Sequence, residues 1–236
     1  MLLKILREEV LEANLELVRR GLVLYTFGNA SALDRESGLV VIKPSGVDYD
    51  QLRPEHMVIT DLEGKPVEGT LRPSSDLDTH TLLYREFPEI GGVVHTHSEF
   101  ATSFAQAALP IPPLGTTHAD YFHGPVPVTA PLSDRAIEAR YVHETGLAIV
   151  RCLRAHHPSE PLDPMSVPAC LVAGHAPFVW GRTVSEAAHN SVVLEAIARM
   201  AYRTLSLKAD AEVVSQALLD RHYLRKHGKQ ASYGQH

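Results

Sequence analysis

The sequence has few cysteines, no long apolar run and no excess of positive charge, and each shortage argues against a class of protein. Only Cys152 and Cys170 are cysteines, and they form no CxxC pair, which argues against a disulfide framework and against a cysteine-rich zinc site. No stretch reaches the roughly 18 apolar residues that a membrane-spanning helix requires. The net charge of −6 argues against nonspecific binding to nucleic acid.

The first residues also lack the apolar core of a signal peptide, because charged side chains occur throughout residues 1–9. Together with the scarcity of cysteine, this predicts a cytoplasmic protein. We expect it to bind neither nucleic acid nor a membrane. Its 236 residues and hydrophobic content of 44% are typical of one large α/β domain, or at most two small ones.

Histidine is abundant by contrast, with 14 residues, and two of them follow a short apolar run. In Val93-Val94-His95-Thr96-His97 the histidines are two residues apart, and alternate residues of a β-strand share one face. His95 and His97 are therefore predicted to present their imidazoles side by side. A catalytic zinc site needs three protein ligands, and the best third candidate is His175, after the apolar run 171–174. The alternative is that all three are ordinary core or surface histidines.

The apolar periodicity predicts helices that alternate with short strands. We expect helices over 3–20, 79–87, 98–108, 133–156, 183–205 and 209–227. We expect strands at 22–25, from 29 onward, and at 40–42, 57–61, 93–97, 126–128 and 169–173. The proline-rich stretch 157–168 could pass for a linker, but His175 lies after it and must return to His95 and His97. We therefore predict one α/β domain over residues 1–236, with a sheet covered by helices.

Two loops have a composition that suits a phosphate group. Lys43-Pro44-Ser45-Gly46 offers an ammonium group, a hydroxyl and a glycine whose backbone can approach closely. Ser74-Ser75-Asp76 offers two hydroxyls and backbone N–H groups ahead of a predicted helix, whose dipole favours an anion. Neither loop is a Walker A or GxGxxG motif, and the alternative for both is a turn with a helix cap.

Two further charged features suit proton transfer or anion binding. Asp120 lies in the histidine- and tyrosine-rich segment 115–122, where it could act as a general acid or base near a metal. The alternative is a capping or solvated aspartate. The basic run 221–229 could close on an anionic ligand, or it could be a solvated helix end whose cations complement the dipole.

Eight segments carry a resemblance to a known family through their order and spacing. They are TFGN at 26–29, IKPSGVDY at 42–49, KPVEGT at 65–70, PSSD at 73–76, VHTH at 94–97, GTTHADYF at 115–122, ETG at 144–146 and LDRHYLRKHG at 219–228. In these segments the chain resembles the L-ribulose-5-phosphate 4-epimerase family of the class II aldolase/epimerase superfamily, over essentially its full length. Ala176, Ser232 and the 158–168 stretch depart from the family pattern, but they remove no functional residue.

The resemblance implies a fold, an assembly and a metal. The fold is a single α/β domain over residues 1–236, with a central, mainly antiparallel β-sheet flanked by helices. The assembly is a homotetramer with active sites between neighbouring subunits. The metal is a divalent ion, usually Zn²⁺ with Mn²⁺ or Co²⁺ as alternatives, held by the residues that match His95, His97 and His175, with Asp76 as a further metal residue.

The resemblance also implies residues that bind and transform a phosphorylated ketopentose. The substrate-binding residues are Asn29, Lys43, Ser45, Gly46, Ser74, Ser75, Thr116, Glu144 and His222. Asp120 and Tyr233 are the implied catalytic pair for proton transfer, with the tyrosine reaching in from the adjacent subunit. Together they would interconvert L-ribulose 5-phosphate and D-xylulose 5-phosphate by cleaving and re-forming the C3–C4 bond.

Two other functions remain as alternatives. A class II sugar-phosphate aldolase makes the same cleavage but releases both fragments, and in such aldolases a glutamate takes the place of Asp76. A non-catalytic metal-binding protein is a more remote alternative, against which the full set of acid–base residues argues. Epimerases of this kind serve arabinose catabolism and ascorbate-type pathways alike.

Overall fold

The structure, a computed structural model, describes residues 1–155, 163–228 and 231. The α-helices are α1 (Lys4–Arg19), α2 (Leu77–Glu86), α3 (Glu99–Gln106), α4 (Thr116–Ala119), α5 (Asp134–Ala155), α6 (Val184–Leu207) and α7 (Gln216–His227). The strands are β1 (Asn29–Asp34), β2 (Leu39–Ile42), β3 (Val58–Thr60), β4 (Pro66–Glu68), β5 (Gly92–His95), β6 (Ala169–Leu171) and β7 (Pro177–Gly181). No helix in the described ranges has the length and apolarity to cross a membrane.

One seven-stranded sheet organises these elements, in the order β4-β3-β2-β1-β5-β7-β6. Every pair of neighbours in it is antiparallel. The expected α/β fold with a central, mainly antiparallel sheet flanked by helices is therefore confirmed. Residues 157–162 of the proline-rich stretch lie outside the described residues, and β6, which follows that stretch, joins the same sheet as β5.

Helices cover both faces of the sheet, which explains why the central strand β5 and its neighbour β7 are buried along their whole length. Side chains alternate between the faces, so Val93 packs with α2 and α5 on one side, whereas Val94 packs with α1 and α6 on the other. A third apolar cluster, between α3, α6 and the β6–β7 end of the sheet, extends the second face. The valine run that precedes the histidines is thus buried on both sides.

Several predicted boundaries are wrong for local reasons. Residues 22–25 form no strand: the Leu22 amide donates to the Leu17 carbonyl at the end of α1, and Tyr25 adopts a left-handed φ of 51° in the turn toward β1. Residues 126–128 form only isolated bridges, because the prolines at 125 and 127 have no N–H for a ladder. The last helix begins at Gln216 rather than 209, and strand β7 was not predicted.

The close packing of β5 against the start of α6 requires a glycine. A Cβ added at Gly92 would lie 2.4 Å from both the Cα and the backbone nitrogen of Val184, the first residue of α6. Thr183 caps that helix, since its side-chain oxygen accepts a hydrogen bond of 3.1 Å from the Glu186 amide. The backbones of β5 and α6 are therefore in direct contact at Gly92.

We predict that Gly92→Ala lowers the free energy of unfolding by about 1–3 kcal/mol or more, because backbone atoms must separate to admit the methyl group. Urea denaturation at matched protein concentration measures this. The control is Gly115→Ala, where φ is −163° and an added Cβ meets nothing within 4 Å. That variant should change stability by no more than about 0.5 kcal/mol. Equal stability of the two variants would contradict the packing argument.

Candidate metal centre and active site

Antiparallel pairing gathers polar residues at one edge of the sheet. The end of β5 lies beside the beginnings of β1 and β7, so His95 pairs with Asn29 on one side and with Phe178 on the other. His97 lies just beyond the end of β5, rather than within the strand as predicted, and His175 lies just before β7. The sheet therefore brings together two histidines that follow one strand and a third that precedes another.

The three predicted histidine ligands form one cluster. Each contributes a ring nitrogen, and these atoms all lie within 4.8 Å of one another. The Nε2 atoms of His95 and His97 are 3.2 Å apart, and both rings have centroids about 5 Å from that of His175. This spacing is compatible with a single divalent ion bound by three imidazoles, which leaves room for further ligands.

His95 is the most rigidly held of the three. Its Nδ1–H donates a 3.0 Å hydrogen bond to the Pro177 carbonyl, and its ring stacks on Phe178 at a centroid distance of 4.3 Å. Because Nδ1 carries the proton, the Nε2 lone pair of His95 is available to bind a metal ion. Burial lowers the pKa of His95 to about 4 and also lowers the pKa of His97 and His175. The cluster is thus neutral near pH 7, the state in which imidazole binds metal ions.

A carboxylate lies beside the cluster at the start of α2. Asp76 precedes the helix but makes no side-chain capping bond; instead its Oδ2 accepts a 2.6 Å hydrogen bond from the Asn29 side chain. Burial alone would raise the pKa of Asp76, but the nearby His95 and His80 rings and the bond from Asn29 lower it below the usual value. Asp76 is therefore ionised, and a carboxylate beside three neutral imidazoles fits a divalent cation.

The two loops with phosphate-like composition lie side by side at the same edge. The Ser74 amide donates to the Lys43 carbonyl at 3.0 Å, and the Ser45 amide donates to the Arg72 carbonyl at 2.9 Å. Lys43 is only 1% exposed, and burial lowers its pKa to about 8, while Asp48 acts to raise it. The Lys43 ammonium group is still protonated near pH 7, so this corner of the site favours an anion.

A cavity of about 590 Å³ joins the histidine cluster to these loops. Its lining contains ten of the predicted site residues: Asn29, Lys43, Ser45, Gly46, Ser74, Ser75, Asp76, His95, His97 and His175. Cavities of similar volume lie elsewhere on the surface, so the chemistry of the lining distinguishes this one rather than its size. The lining also includes Phe27 and Tyr141, which the sequence analysis did not select.

Three other predicted residues lie on α4 and α7, outside the lining of that cavity. Thr116 begins α4, and Asp120 follows it. The Asp120 carboxylate accepts hydrogen bonds from His222 Nδ1 at 3.0 Å and from Arg225 at 3.1 Å. Partial burial would raise the pKa of Asp120, but these hydrogen bonds, aided by Lys226, lower it. The structure thus holds an ionised carboxylate in a second cluster, formed by Asp120 and His222, with Thr116 one helical turn before Asp120 on α4.

Stacked rings attach α7 to the segment that carries Asp120. The His123 ring stacks on Tyr223 at 4.6 Å, and Tyr223 stacks on His227 at 4.5 Å. His123 Nε2 also donates a 2.7 Å hydrogen bond to Asp220. Residues of the predicted basic run therefore pack against this segment and form hydrogen bonds with Asp120.

One further predicted residue, Glu144, is not brought to either cluster. Glu144 on α5 lies 3.6 Å from Arg151 and lines a different cavity of about 610 Å³. Tyr233 lies outside the described residues. The roles of both, like those of the other substrate-binding and catalytic residues, stay predictions.

Comparison with known proteins gives both a family and close relatives. The Class II Aldolase and Adducin N-terminal domain family matches residues 8–202. The L-ribulose-5-phosphate 4-epimerase UlaF of Salmonella paratyphi A is 47% identical over 230 residues, 98% of each chain. Among solved structures, an L-fuculose 1-phosphate aldolase has a TM-score of 0.75 and 23% identity, covering 92% of this chain and 93% of the other. YgbL from Klebsiella pneumoniae has a TM-score of 0.69 and 25% identity, covering 92% and 96%.

We predict that the chain binds one divalent ion and that His175→Ala weakens this binding by more than about 100-fold, because even loss of an outer partner of a metal ligand costs about 10- to 100-fold. Competition with a metal-binding dye measures the affinity for Zn²⁺. The control is His189→Ala, which removes an exposed histidine of α6 outside the cluster. Equal affinity of the two variants would show that the cluster is not the metal site.

Proposed function

The chain belongs to the Class II Aldolase and Adducin N-terminal domain family, and on that premise we propose that it is a metal-dependent L-ribulose-5-phosphate 4-epimerase. The observation that carries this proposal is the 47% identity to an epimerase of that name over 98% of both chains. The substrate class is then a phosphorylated ketopentose, interconverted between L-ribulose 5-phosphate and D-xylulose 5-phosphate. The lysine and serine loops beside the histidine cluster support a phosphorylated ligand.

Inversion at C4 by removal of its hydrogen is implausible, because no neighbouring group acidifies that C–H bond. Cleavage of the C3–C4 bond is feasible: the C4 hydroxyl loses its proton to a base, and the bonding electrons pass to the dihydroxyacetone fragment. The other product is glycolaldehyde phosphate, which turns and accepts the electrons back through its opposite face. A divalent ion, when bound, stabilises the negative charge that develops on the substrate oxygens.

The residues of the cavity have distinct roles in this scheme. His95, His97 and His175 would hold the ion, with Asp76 beside them, and we propose Zn²⁺ because neutral imidazoles suit it, with Mn²⁺ or Co²⁺ as alternatives. Lys43 and the adjacent Ser45, Gly46, Ser74 and Ser75 would hold the phosphate. Such anchoring keeps the aldehyde fragment bound while it turns.

Proton transfer requires a group on each side of C4, because the C4 oxygen occupies opposite positions before and after inversion. Asp120 is one candidate, since its lowered pKa makes it an ionised base near pH 7. Tyr233 is the other. Thr116 and His222, which lie with Asp120 on α4 and α7, would complete the proton-transfer side of the site.

We further propose that the second cluster, which contains Thr116, Asp120 and His222, completes the cavity of a neighbouring subunit in a homotetramer. Within one chain, none of the three residues of the second cluster lines the cavity. A closed ring of identical subunits can bring the two halves together at each interface. Residues 1–236 would form one catalytic domain in each subunit, and the cytoplasmic location predicted from the sequence stays a prediction.

The first test is the reaction itself. The purified, zinc-loaded protein is incubated with ¹³C-labelled L-ribulose 5-phosphate, and all carbons are followed by NMR. We expect D-xylulose 5-phosphate to appear, and we expect its formation to be lost on chelation of the metal and in Asp120→Asn. Accumulation of dihydroxyacetone and glycolaldehyde phosphate would identify an aldolase instead. Metal binding without turnover of this substrate would refute the epimerase proposal.

A second test examines the two-subunit site. His97→Ala removes a metal ligand, Asp120→Asn removes the base, and we expect each variant alone to be inactive. Co-expressed in equal amounts, they should recover about a quarter of the unmodified activity, because about one interface in four pairs an intact cavity with an intact α4–α7 cluster. Co-expression of His97→Ala with Lys43→Met is the control, since both changes lie in the same half. If the first pair recovers no more activity than the control, each site lies within one chain.

A further inference from the structure

Tyr141 stands at the mouth of the cavity, where helix α5 is interrupted. The preceding residue, Arg140, has φ −152° and ψ 65°, so the helix is broken immediately before the tyrosine. The Tyr141 hydroxyl oxygen lies 3.3 Å from Nδ1 of His175, and the two ring centroids are 6.0 Å apart. The helix break thus places a tyrosine hydroxyl behind one of the three clustered imidazoles.

We propose that Tyr141 is a positioning residue, which holds the His175 ring in the tautomer and orientation that metal binding requires. The inference rests on the metal site of the proposed function. A neutral imidazole carries one N–H, and a hydrogen bond from Nδ1–H to the tyrosine oxygen leaves the Nε2 lone pair free for the ion.

His95 provides an internal comparison, because its Nδ1–H is held in the same way. There the acceptor is the Pro177 carbonyl at 3.0 Å, which the backbone supplies within the sheet. His175 precedes β7 and is half-buried, and the outer partner of its Nδ1 is a side chain from another element. The orientation of His175 therefore depends on where α5 places Tyr141.

Helix α2 fixes that placement. The Thr79 hydroxyl of α2 donates a 2.6 Å hydrogen bond to the Val142 carbonyl, and the Thr145 hydroxyl donates a 2.9 Å bond to the Tyr141 carbonyl. The helices approach closely at Gly146, where an added Cβ would lie 3.3 Å from Thr79 Cα. Asp76 precedes the same helix, so α2 locates both the carboxylate and the tyrosine.

The exposure of Tyr141 separates a positioning role from a structural one. Tyr141 is 40% exposed and His175 is only half-buried, so removal of the hydroxyl leaves no fully buried polar group behind and little packing is lost. Tyr141→Phe should therefore change metal binding without changing the stability of the metal-free protein.

We expect Tyr141→Phe to weaken Zn²⁺ binding by about 10- to 100-fold, the usual cost of losing an outer partner of a metal-bound histidine. Competition with a metal-binding dye measures this on the metal-free full chain, and thermal unfolding checks its stability. The control is Tyr202→Phe, a 53% exposed tyrosine of α6 that contacts Phe100 and lies outside the cavity lining. The control should bind Zn²⁺ with unchanged affinity.

A second readout follows the imidazole directly. Imidazole ¹⁵N chemical shifts of the metal-free protein should show the Nδ1–H form of His175, and this form should lose population in Tyr141→Phe but not in Tyr202→Phe. Unchanged affinity and unchanged tautomer in Tyr141→Phe would overturn the inference while leaving the epimerase proposal intact. A protein that shows both effects but does not epimerise would refute only the proposed function. Absence of metal binding by the unmodified chain would overturn both.

Discussion

The antiparallel pairing of β5 between β1 and β7 is the constraint on which the candidate site depends. In an antiparallel sheet the end of one strand lies beside the beginnings of its neighbours. His95, at the end of β5, therefore pairs with Asn29 at the start of β1 and with Phe178 near the start of β7. A shift of β5 by one residue would turn its histidine to the other face of the sheet. Gly92 opposes that shift, because a residue with a Cβ in its place would collide with the backbone of Val184.

This constraint explains which site residues could be predicted. The His-x-His pair, the lysine loop and the serine loop were recognisable because each follows or precedes a short strand or helix and has a composition suited to one chemistry. That His95 and His97 lie together needed only local geometry, although His97 proved to lie beyond the strand. The approach of His175 needed the whole sheet, and strand β7, which delivers it, was not predicted from the short apolar run after the histidine.

Residues whose placement depends on a break in regular structure were not predictable in the same way. Tyr141 was missed because a continuous helix over 133–156 gives no reason to expect its side chain at the cavity. The break in the helix at Arg140, immediately before the tyrosine, cannot be read from the hydrophobic periodicity. The strand expected at 126–128 failed for a reason visible in the sequence, namely the alternating prolines. The helix expected from 209 begins later, at the Ser215 cap, whose side chain accepts a hydrogen bond from the Leu218 amide. Hydrophobic periodicity predicted where helices and strands lie, whereas caps and backbone breaks determine where they begin and end.

The charge balance at the edge of the sheet gives a physical reason for a cation there. Asp76 is largely enclosed and ionised, yet within 1–155 and 163–228 it forms no ion pair with a lysine or arginine. Its ring neighbours His80 and His95 are neutral near pH 7, because burial lowers their pKa to about 3 and about 4. His80 is further fixed by Ser31, whose hydroxyl lies 2.7 Å from His80 Nδ1 and 2.7 Å from the Tyr84 hydroxyl. A divalent ion among the three imidazoles would lie beside this ionised carboxylate and balance its charge, so the charge distribution at this edge of the sheet favours a cation.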